Sequence, residues 1–392
     1  MCWHRSPRPY CLHDDFGVVR PCLGKVQIVK RRSALVWIAI LLSASWVKGE
    51  TPDERLPTSI SSLPGLQPGN SATSGLPSTP LGTAGRVSDG LAKTFLALGA
   101  SSGIPDGIGG WWYPSQRVLG QKSNLGMTAG WAGAAVPVWD DETDGLFLTG
   151  AARAVNVNTN AILPDDHTRF PSTLWDIQSG AVYLRRMSGD RAWGLSLTAG
   201  SASDRPFHSI REATATGLTF YRTPAGDEDH WLFYVLSEST GQIGRNFPIP
   251  GVAYEFSRSK LNGVVGIPFL SLAWTPKDQV EATLFYAALS DLQIRVSYEF
   301  APKTKAYTGF VWTYASWFRA DRVNAADQFF WYEKRLEMGT IWTPRKWVSF
   351  QASGGYAFDR YFTETHGLSL SGRNRISVGS GPLLSLQILA QY

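Results

Sequence analysis

Charged side chains at every second position are the residues of this chain whose types and spacing could do chemistry. Glu333, Arg335 and Glu337 recur in this way, and successive side chains of an extended strand point to opposite faces, so all three share one face. Carboxylate and guanidinium groups on one face can pair with each other or meet a charged solute. The same alternation places seven further residues on an inward face: Arg153, Asp176, Arg186, Glu255, Glu281, Arg295 and Glu299.

Two interpretations of this inward charge remain open. The ten residues could form the polar wall of a pore, or they could form salt bridges that fill a closed barrel of modest diameter. Lys334 interrupts the apolar face of the same segment, and a cation on the lipid side of a membrane strand costs about 2–4 kcal/mol at the midplane. We therefore expect Lys334 to reach toward the interface, or the strand to bulge there.

Catalytic groups are sparse after residue 49. The four histidines, His167, His208, His230 and His366, fall in or beside predicted loops. His208 precedes Ser209, but adjacent residues of a strand point apart. No phosphate-binding loop of the type Gly-x4-Gly-Lys-Ser/Thr is present, and we expect no enzymatic activity.

Two acidic clusters could hold a cation loosely. They are 164–167 (Pro-Asp-Asp-His) and 227–230 (Asp-Glu-Asp-His). Neither has the ligand spacing of an established metal site. We expect no metal and no cofactor.

A period of two positions these charges on strands. In Leu292–Phe300 the apolar side chains alternate with Gln293, Arg295, Ser297 and Glu299, the pattern of a half-buried strand. Segments 279–288, 347–358 and 384–392 repeat it. Further strands are predicted at about 123–138, 145–158, 173–187, 191–203, 212–223, 230–239, 250–258, 262–275, 304–320 and 327–343.

These strands predict an antiparallel transmembrane β-barrel. Several have 12 residues or more, whereas strands of soluble proteins usually have about 5–6 and tilted membrane strands about 9–11. No amphipathic helix of ordinary length interrupts them. A soluble sandwich, jelly roll or propeller is the alternative that strand length disfavours.

The turns predict about 14 strands, with 12 to 16 as the range. Short turns at 276–278, 302–303 and 344–346 alternate with a long loop at 362–379. In the first half, counting strands places the short turns at 188–190 and 224–229 on the side of the membrane that carries the long loop of the second half. One strand is therefore miscounted between about 240 and 275, and splitting or merging there, with one strand recruited from 94–118, restores an even number.

Three segments are predicted along the chain. Residues 1–49 are predicted to be a signal peptide, because Lys30, Arg31 and Arg32 precede an apolar run from Ala34 to Ala44. Residues 1 to about 25 are interpreted as an extension upstream of the true translation start. A single membrane anchor is the alternative for this short run. Residues 50–93 are rich in Pro, Ser and Gly and are predicted to be a disordered linker. The outer-membrane barrel then occupies 94–392.

Removing the leader changes the charge and the thiol content. Residues 1–49 hold eight of the 37 Lys and Arg and two of the 32 Asp and Glu, which leaves 29 basic and 30 acidic side chains. This balance gives no support for a nucleic-acid partner. Cys2, Cys11 and Cys22 all precede the apolar run, so the exported chain is expected to contain no thiol.

Tryptophans near strand ends predict two interfacial girdles. Trp274 and Trp342 each begin a Trp-Thr-Pro turn followed by a cation, and Trp347 lies beside the second turn. We place Trp317 and Trp331 in the girdle around the 321–326 loop.

Motifs in 248–350 resemble an uncharacterised family of bacterial outer-membrane β-barrel proteins. They are Pro250-Gly251-Val252-Ala253-Tyr254, Gly266-Ile267-Pro268-Phe269, Trp274-Thr275-Pro276, Tyr298-Glu299-Phe300 and Trp312. The resemblance implies a barrel in the cell outer membrane and no catalytic residue.

The leading functional expectation is a pore or transport channel for small solutes. A non-conducting structural or surface-binding barrel is the alternative, with loops at 159–172, 204–211 and 362–379 meeting partners, and an outer-membrane hydrolase is third. The expected partners are outer-membrane lipid and small solutes. The oligomeric state stays open.

Overall fold

The computed structural model describes residues 104–226, 228–240, 246–287, 291–366 and 372–390. The strands are β1 (Gly107–Arg117), β2 (Asn124–Asp140), β3 (Asp144–Thr159), β4 (Thr173–Met187), β5 (Arg191–Ser203), β6 (Ala213–Pro224), β7 (His230–Glu238), β8 (Ile249–Ser257), β9 (Leu261–Ile267), β10 (Phe269–Lys277), β11 (Val280–Ala287), β12 (Asp291–Ala301), β13 (Thr304–Trp317), β14 (Gln328–Arg345), β15 (Val348–Thr365), β16 (Arg373–Val378) and β17 (Gly381–Ala390). One 3-10 turn, Ile210–Glu212, precedes β6. Within these ranges, no helix is long and apolar enough to cross a membrane.

The strands close into one antiparallel barrel. Each strand from β1 to β15 pairs with the next in sequence, and β1 also pairs with β17, which joins the two ends of the sheet. Both β16 and β17 pair with β15, on either side of an interruption at residues 379–380. They are two halves of one strand, so the barrel has 16 strands. Closure leaves no sheet edge unpaired.

Alternation along the strands gives the barrel an apolar outer face. On β12, the side chains of Ile294, Val296 and Tyr298 are 43–50% exposed, whereas Ser297 between them is buried. The exposed side chains are those predicted to face lipid. The predicted all-β, antiparallel barrel is therefore confirmed.

The predicted count of about 14 strands is too low. The single strand predicted at 262–275 is two strands, β9 and β10, which reverse direction at Pro268. The second missing strand is β1, within 94–118. The reversal was hidden because Leu261–Thr275 contains no charged residue, whereas hairpin turns usually carry polar residues.

With this correction, seven of the short turns lie at one end of the barrel. They are 141–143, 188–190, 225–229, 258–260, 278–279, 302–303 and 346–347. Most of the predicted long loop at 362–379 is strand instead, because β15 continues to Thr365 and Glu364 pairs with Arg373 of β16.

The wall of the barrel has unequal height. Strands β7 to β11 have 7–9 residues, whereas β14 and β15 have 18 each. The short strands lie between β5 and β13 in the sheet, and at the loop end β5 and β13 contact each other directly. Phe318 donates its backbone N–H to the carbonyl of Ala202 at 2.8 Å. Ser203 and Phe318 form a parallel bridge. We call this contact the β5–β13 junction.

The predicted leader (1–49), the predicted linker (50–93) and Tyr392 lie outside the described residues. Those assignments remain predictions.

Candidate functional site

Large apolar side chains fill the interior at the loop end. Trp317, Phe329 and Phe362 are fully buried, and Trp331 is nearly so. They belong to one cluster that includes residues of β1 to β5 and of β13 to β17. The predicted girdle position of Trp317 and Trp331 is therefore wrong. Aromatic side chains favour strands on either face, so their position near a loop did not reveal that they point inward.

The connection between β3 and β4 folds into this cluster. The ring of Phe170 packs edge-on to Phe362, with centroids 4.8 Å apart, and to Phe329 at 5.4 Å. Leu163 of the same connection is also fully buried. We call residues 160–172 the plug loop, because its apolar side chains complete the core across the interior.

Ion pairs hold the plug loop in place. The carboxylate of Asp166 accepts hydrogen bonds from Arg319 at 2.5 Å, Arg373 at 2.8 Å and the Asn374 side chain at 2.7 Å. Asp165 accepts from the backbone N–H of Asn374. Burial favours the neutral acid, but the hydrogen bonds and the two guanidinium charges outweigh it and hold the pKa of Asp166 below its ordinary value of 3.8. These carboxylates are therefore committed to a clamp, which argues against the cation site considered for 164–167.

The second acidic cluster is also engaged in protein contacts. Asp229 forms a two-pronged pair with Arg258, at 2.5 and 2.7 Å, and accepts from the Tyr254 hydroxyl. These bonds hold the pKa of Asp229 well below its usual range. Its turn carries a fixed ion pair.

A charged network lies beside the apolar cluster. Arg335 contacts Glu333 at 2.7 Å and Glu337 at 3.4 Å, and all three side chains are at most 5% exposed. Tyr113 of β1 donates its hydroxyl hydrogen to Glu333 Oε1, the same oxygen that Arg335 contacts. Arg295 of β12 approaches Glu337 at 3.5 Å. The structure thus brings together four of the predicted inward residues, two arginines and two glutamates, and each guanidinium group lies beside a carboxylate.

A bulge in β15 adds a second arginine to this network. Glu333 lies opposite the irregularity between Phe358 and Tyr361, where Asp359 has a positive φ of 50°. The extra residue turns Arg360 inward, with its guanidinium 4.3 Å from the centre of the Tyr113 ring. It turns Asp359 outward, where the carboxylate meets Lys334 at 2.5 Å. The expected bulge therefore exists, but on the neighbouring strand, and Lys334 has a partner on the outer face.

Arg153 and Asp176 form a separate buried pair at 2.9 Å. They line a polar cavity of about 50 Å³ next to the β5–β13 junction. Gln178, Thr214 and Glu238 contribute to its wall. Since a buried water needs roughly 10–15 Å³ of such space, the cavity has room for a few waters.

The other predicted residues lie in smaller groups. Glu255 accepts from Arg222 at 2.8 Å, and Arg222 and Asp190 also contact the two ring nitrogens of His230. Glu281 pairs with Lys305 at 2.9 Å. At the turn end, Arg186 pairs with Asp140 at 3.2 Å, and Glu299 accepts from the backbone N–H of Lys303.

Sequence reasoning missed several members of these groups. They are Tyr113, Arg222, Glu238, Lys305 and Arg360. Lys305 and Arg222 could have been found, because both lie on the inward set of a predicted strand. Arg360 could not, since the bulge reverses the alternation.

Ser209 is not arranged as a nucleophile for His208. Its hydroxyl donates to Glu212 at 2.7 Å and accepts from the backbone N–H of Arg211, which caps the 3-10 turn. The His208 side chain is exposed.

No family model and no curated protein matches this chain. Solved structures with a similar arrangement include a triple mutant of an Rh. blastica porin (12% identity, 72% of this chain and 98% of that chain, TM-score 0.30). They also include the β domain of the Bordetella autotransporter BrkA (10% identity, 72% and 98%, TM-score 0.25) and the outer-membrane expressed OmpT of Vibrio cholerae (11% identity, 72% and 95%, TM-score 0.27). The chain is similar to these barrels at low identity and low TM-score.

Proposed function

We propose that this chain is an outer-membrane barrel that is closed to the diffusion of solutes and serves as a structural or surface-binding protein. Its apolar outer face suits lipid, and a closed barrel satisfies its backbone hydrogen bonds without water. With the short turns facing the periplasm, as is usual for such barrels, the plug loop and the β5–β13 junction lie at the cell surface.

The filled interior carries this proposal. An aqueous pore needs a continuous path lined by hydrated side chains. Here Trp317, Phe329 and Phe362 are buried against one another and against the plug loop. Arg335 is 1% exposed and paired on both sides, the arrangement of a packed barrel.

Planar-bilayer recording tests the proposal. We expect the purified protein to show heat-modifiable migration in detergent gels, because the closed barrel resists unfolding, and to give no steady single-channel current. A stable, ohmic conductance from heat-modifiable protein would overturn the closed-barrel assignment. Recovery of the native protein in the soluble periplasm would overturn the membrane assignment.

A gated pore for small solutes is the second candidate, and the polar cavity favours it. Arg153, Asp176 and Glu238 line space that the apolar cluster leaves unfilled. Ile162 and Arg169 form a bridge at the base of the plug loop, so replacing residues 163–168 by two glycines can close the chain without strain. A current that appears only in this shortened variant would favour the gated pore.

We also propose that the chain is not an enzyme. Capping hydrogen bonds occupy Ser209, and His230 is held by Asp190 and Arg222. Phospholipid turnover by the purified barrel that is lost on His208→Ala would contradict this.

A further inference from the structure

The tip of the β9–β10 hairpin is apolar and projects outward. Ile267 has 73% of its surface exposed, at the end of the barrel that carries the loops. The whole segment Leu261–Thr275 contains no Asp, Glu, Lys, Arg or His. A hairpin that ends in water normally carries polar turn residues, so this composition requires another explanation.

The two strands are too short to bring this tip to the membrane surface. β9 has 7 residues and β10 has 9. At about 3.3 Å per residue and a tilt of about 45°, seven residues rise about 16 Å along the membrane normal, against an apolar band of about 25 Å. If the turn end of the barrel meets the periplasmic interface, the tip stops inside the hydrocarbon.

The backbone of the turn is suited to that environment. In hydrocarbon, each backbone polar group must find a partner within the protein. Pro268 has no N–H to satisfy, and the carbonyl of Ile267 accepts a hydrogen bond from the hydroxyl of Tyr234, which reaches it from inside the barrel. The neighbouring connection also exposes an apolar side chain, Phe247, at 61%.

We propose that the β9–β10 tip is immersed among the acyl chains of the outer leaflet, so that the barrel wall between β7 and β11 is lower than the membrane. Lipid is the partner that this surface fits, because an exposed isoleucine without neighbouring charge gains nothing from water or from a polar ligand. This inference rests on the proposed outer-membrane location. A second copy of the chain that covers the tip is the competing occupant.

Single-cysteine labelling tests the position of the tip. In the full chain with Cys2, Cys11 and Cys22 replaced by serine, a nitroxide is attached at Ile267→Cys and the barrel is reconstituted in phospholipid vesicles. Val296→Cys on β12 is the lipid control, and Val323→Cys, 72% exposed in the β13–β14 connection, is the water control. We expect the label at 267 to match that at 296, with accessibility to a water-soluble nickel chelate several-fold below that at 323.

Three other results of the labelling experiment would overturn the inference. A label at 267 that is as accessible to the chelate as the label at 323, while the label at 296 is in lipid, overturns this inference and leaves the membrane barrel intact. A label at 296 that is in water overturns the membrane location itself and this inference with it. Dipolar broadening between labels at 267 shows a second copy on the tip and overturns lipid as the occupant.

A charge at the tip provides an independent test. Ile267→Lys should lower the fraction of chains that fold into vesicles and shift the urea midpoint downward. Val323→Lys, the matched change in the taller wall, should leave both unchanged. Equal behaviour of the two variants would contradict the inference.

Discussion

Tyr113 on β1 donates a hydrogen bond to Glu333 on β14 at 2.5 Å, although two strands of the barrel wall, β15 and β17, lie between them. The contact therefore runs through the interior. An open lumen would separate these two side chains by water.

Replacing Tyr113 by phenylalanine should destabilise the barrel by about 1–3 kcal/mol, because buried Glu333 loses a donor. Unfolding in urea and detergent measures the change. Glu333→Gln and the double variant complete the cycle. If the two residues interact as described, the effects are not additive, whereas strictly additive effects would contradict the contact.

Replacing Arg335 by methionine or by glutamate should cost about 3–5 kcal/mol, since either change leaves Glu333 and Glu337 buried without their shared cation. Lys334→Met on the same strand is the matched control. Its exposed pair with Asp359 is expected to contribute about 0–1 kcal/mol. A near-unchanged melting point for Arg335→Glu, together with a shifted reversal potential in bilayers, would instead support a hydrated pore.

Replacing Trp317 by alanine should cost about 3–5 kcal/mol, because the ring is fully buried. Replacing Trp342, which is 52% exposed on the outer face, should cost less in detergent. Thermal unfolding of the two variants compares the sites. Equal losses would argue against an apolar core inside the barrel.

Acid should release the plug loop. The pKa of Asp166 in the folded protein lies below the ordinary 3.8, so the carboxylate stabilises the clamp above that value, and the contribution is lost as pH falls through the lower, folded pKa. Hydrogen exchange of residues 160–172, corrected for intrinsic rates, should be slow at neutral pH and rise as pH drops below about 4.

The control for this prediction is Asp166→Asn, which removes the titrating group. Its plug loop should exchange faster at neutral pH and show little further change in acid. A wild-type loop whose protection is constant down to the lowest pH at which the barrel stays folded would contradict the clamp.

The predicted linker can be tested by deletion of residues 51–90. Deleting them should leave barrel assembly intact, because their composition buries little surface. Heat-modifiable migration of the deletion variant in outer-membrane fractions is the measurement. Loss of the folded band would show that the segment is structural.

The sequence by itself determined the strands and their outer face, because alternation is a local property of an extended chain. Ile294, Val296 and Tyr298 could be assigned to the outer face from their spacing alone. The same spacing placed Glu333, Arg335 and Glu337 on one face, where they lie in the structure.

Only the tertiary structure decided how the interior is used. Alternation separates two faces but does not say whether the inner one is wet, and Trp317 and Trp331 fill it because strands distant in sequence surround them. The bulge at Asp359 reverses the alternation and brings Arg360 inward. The reversal at Pro268 depends on pairing between β9 and β10, since an uncharged run of this length fits one long strand as well as two short ones.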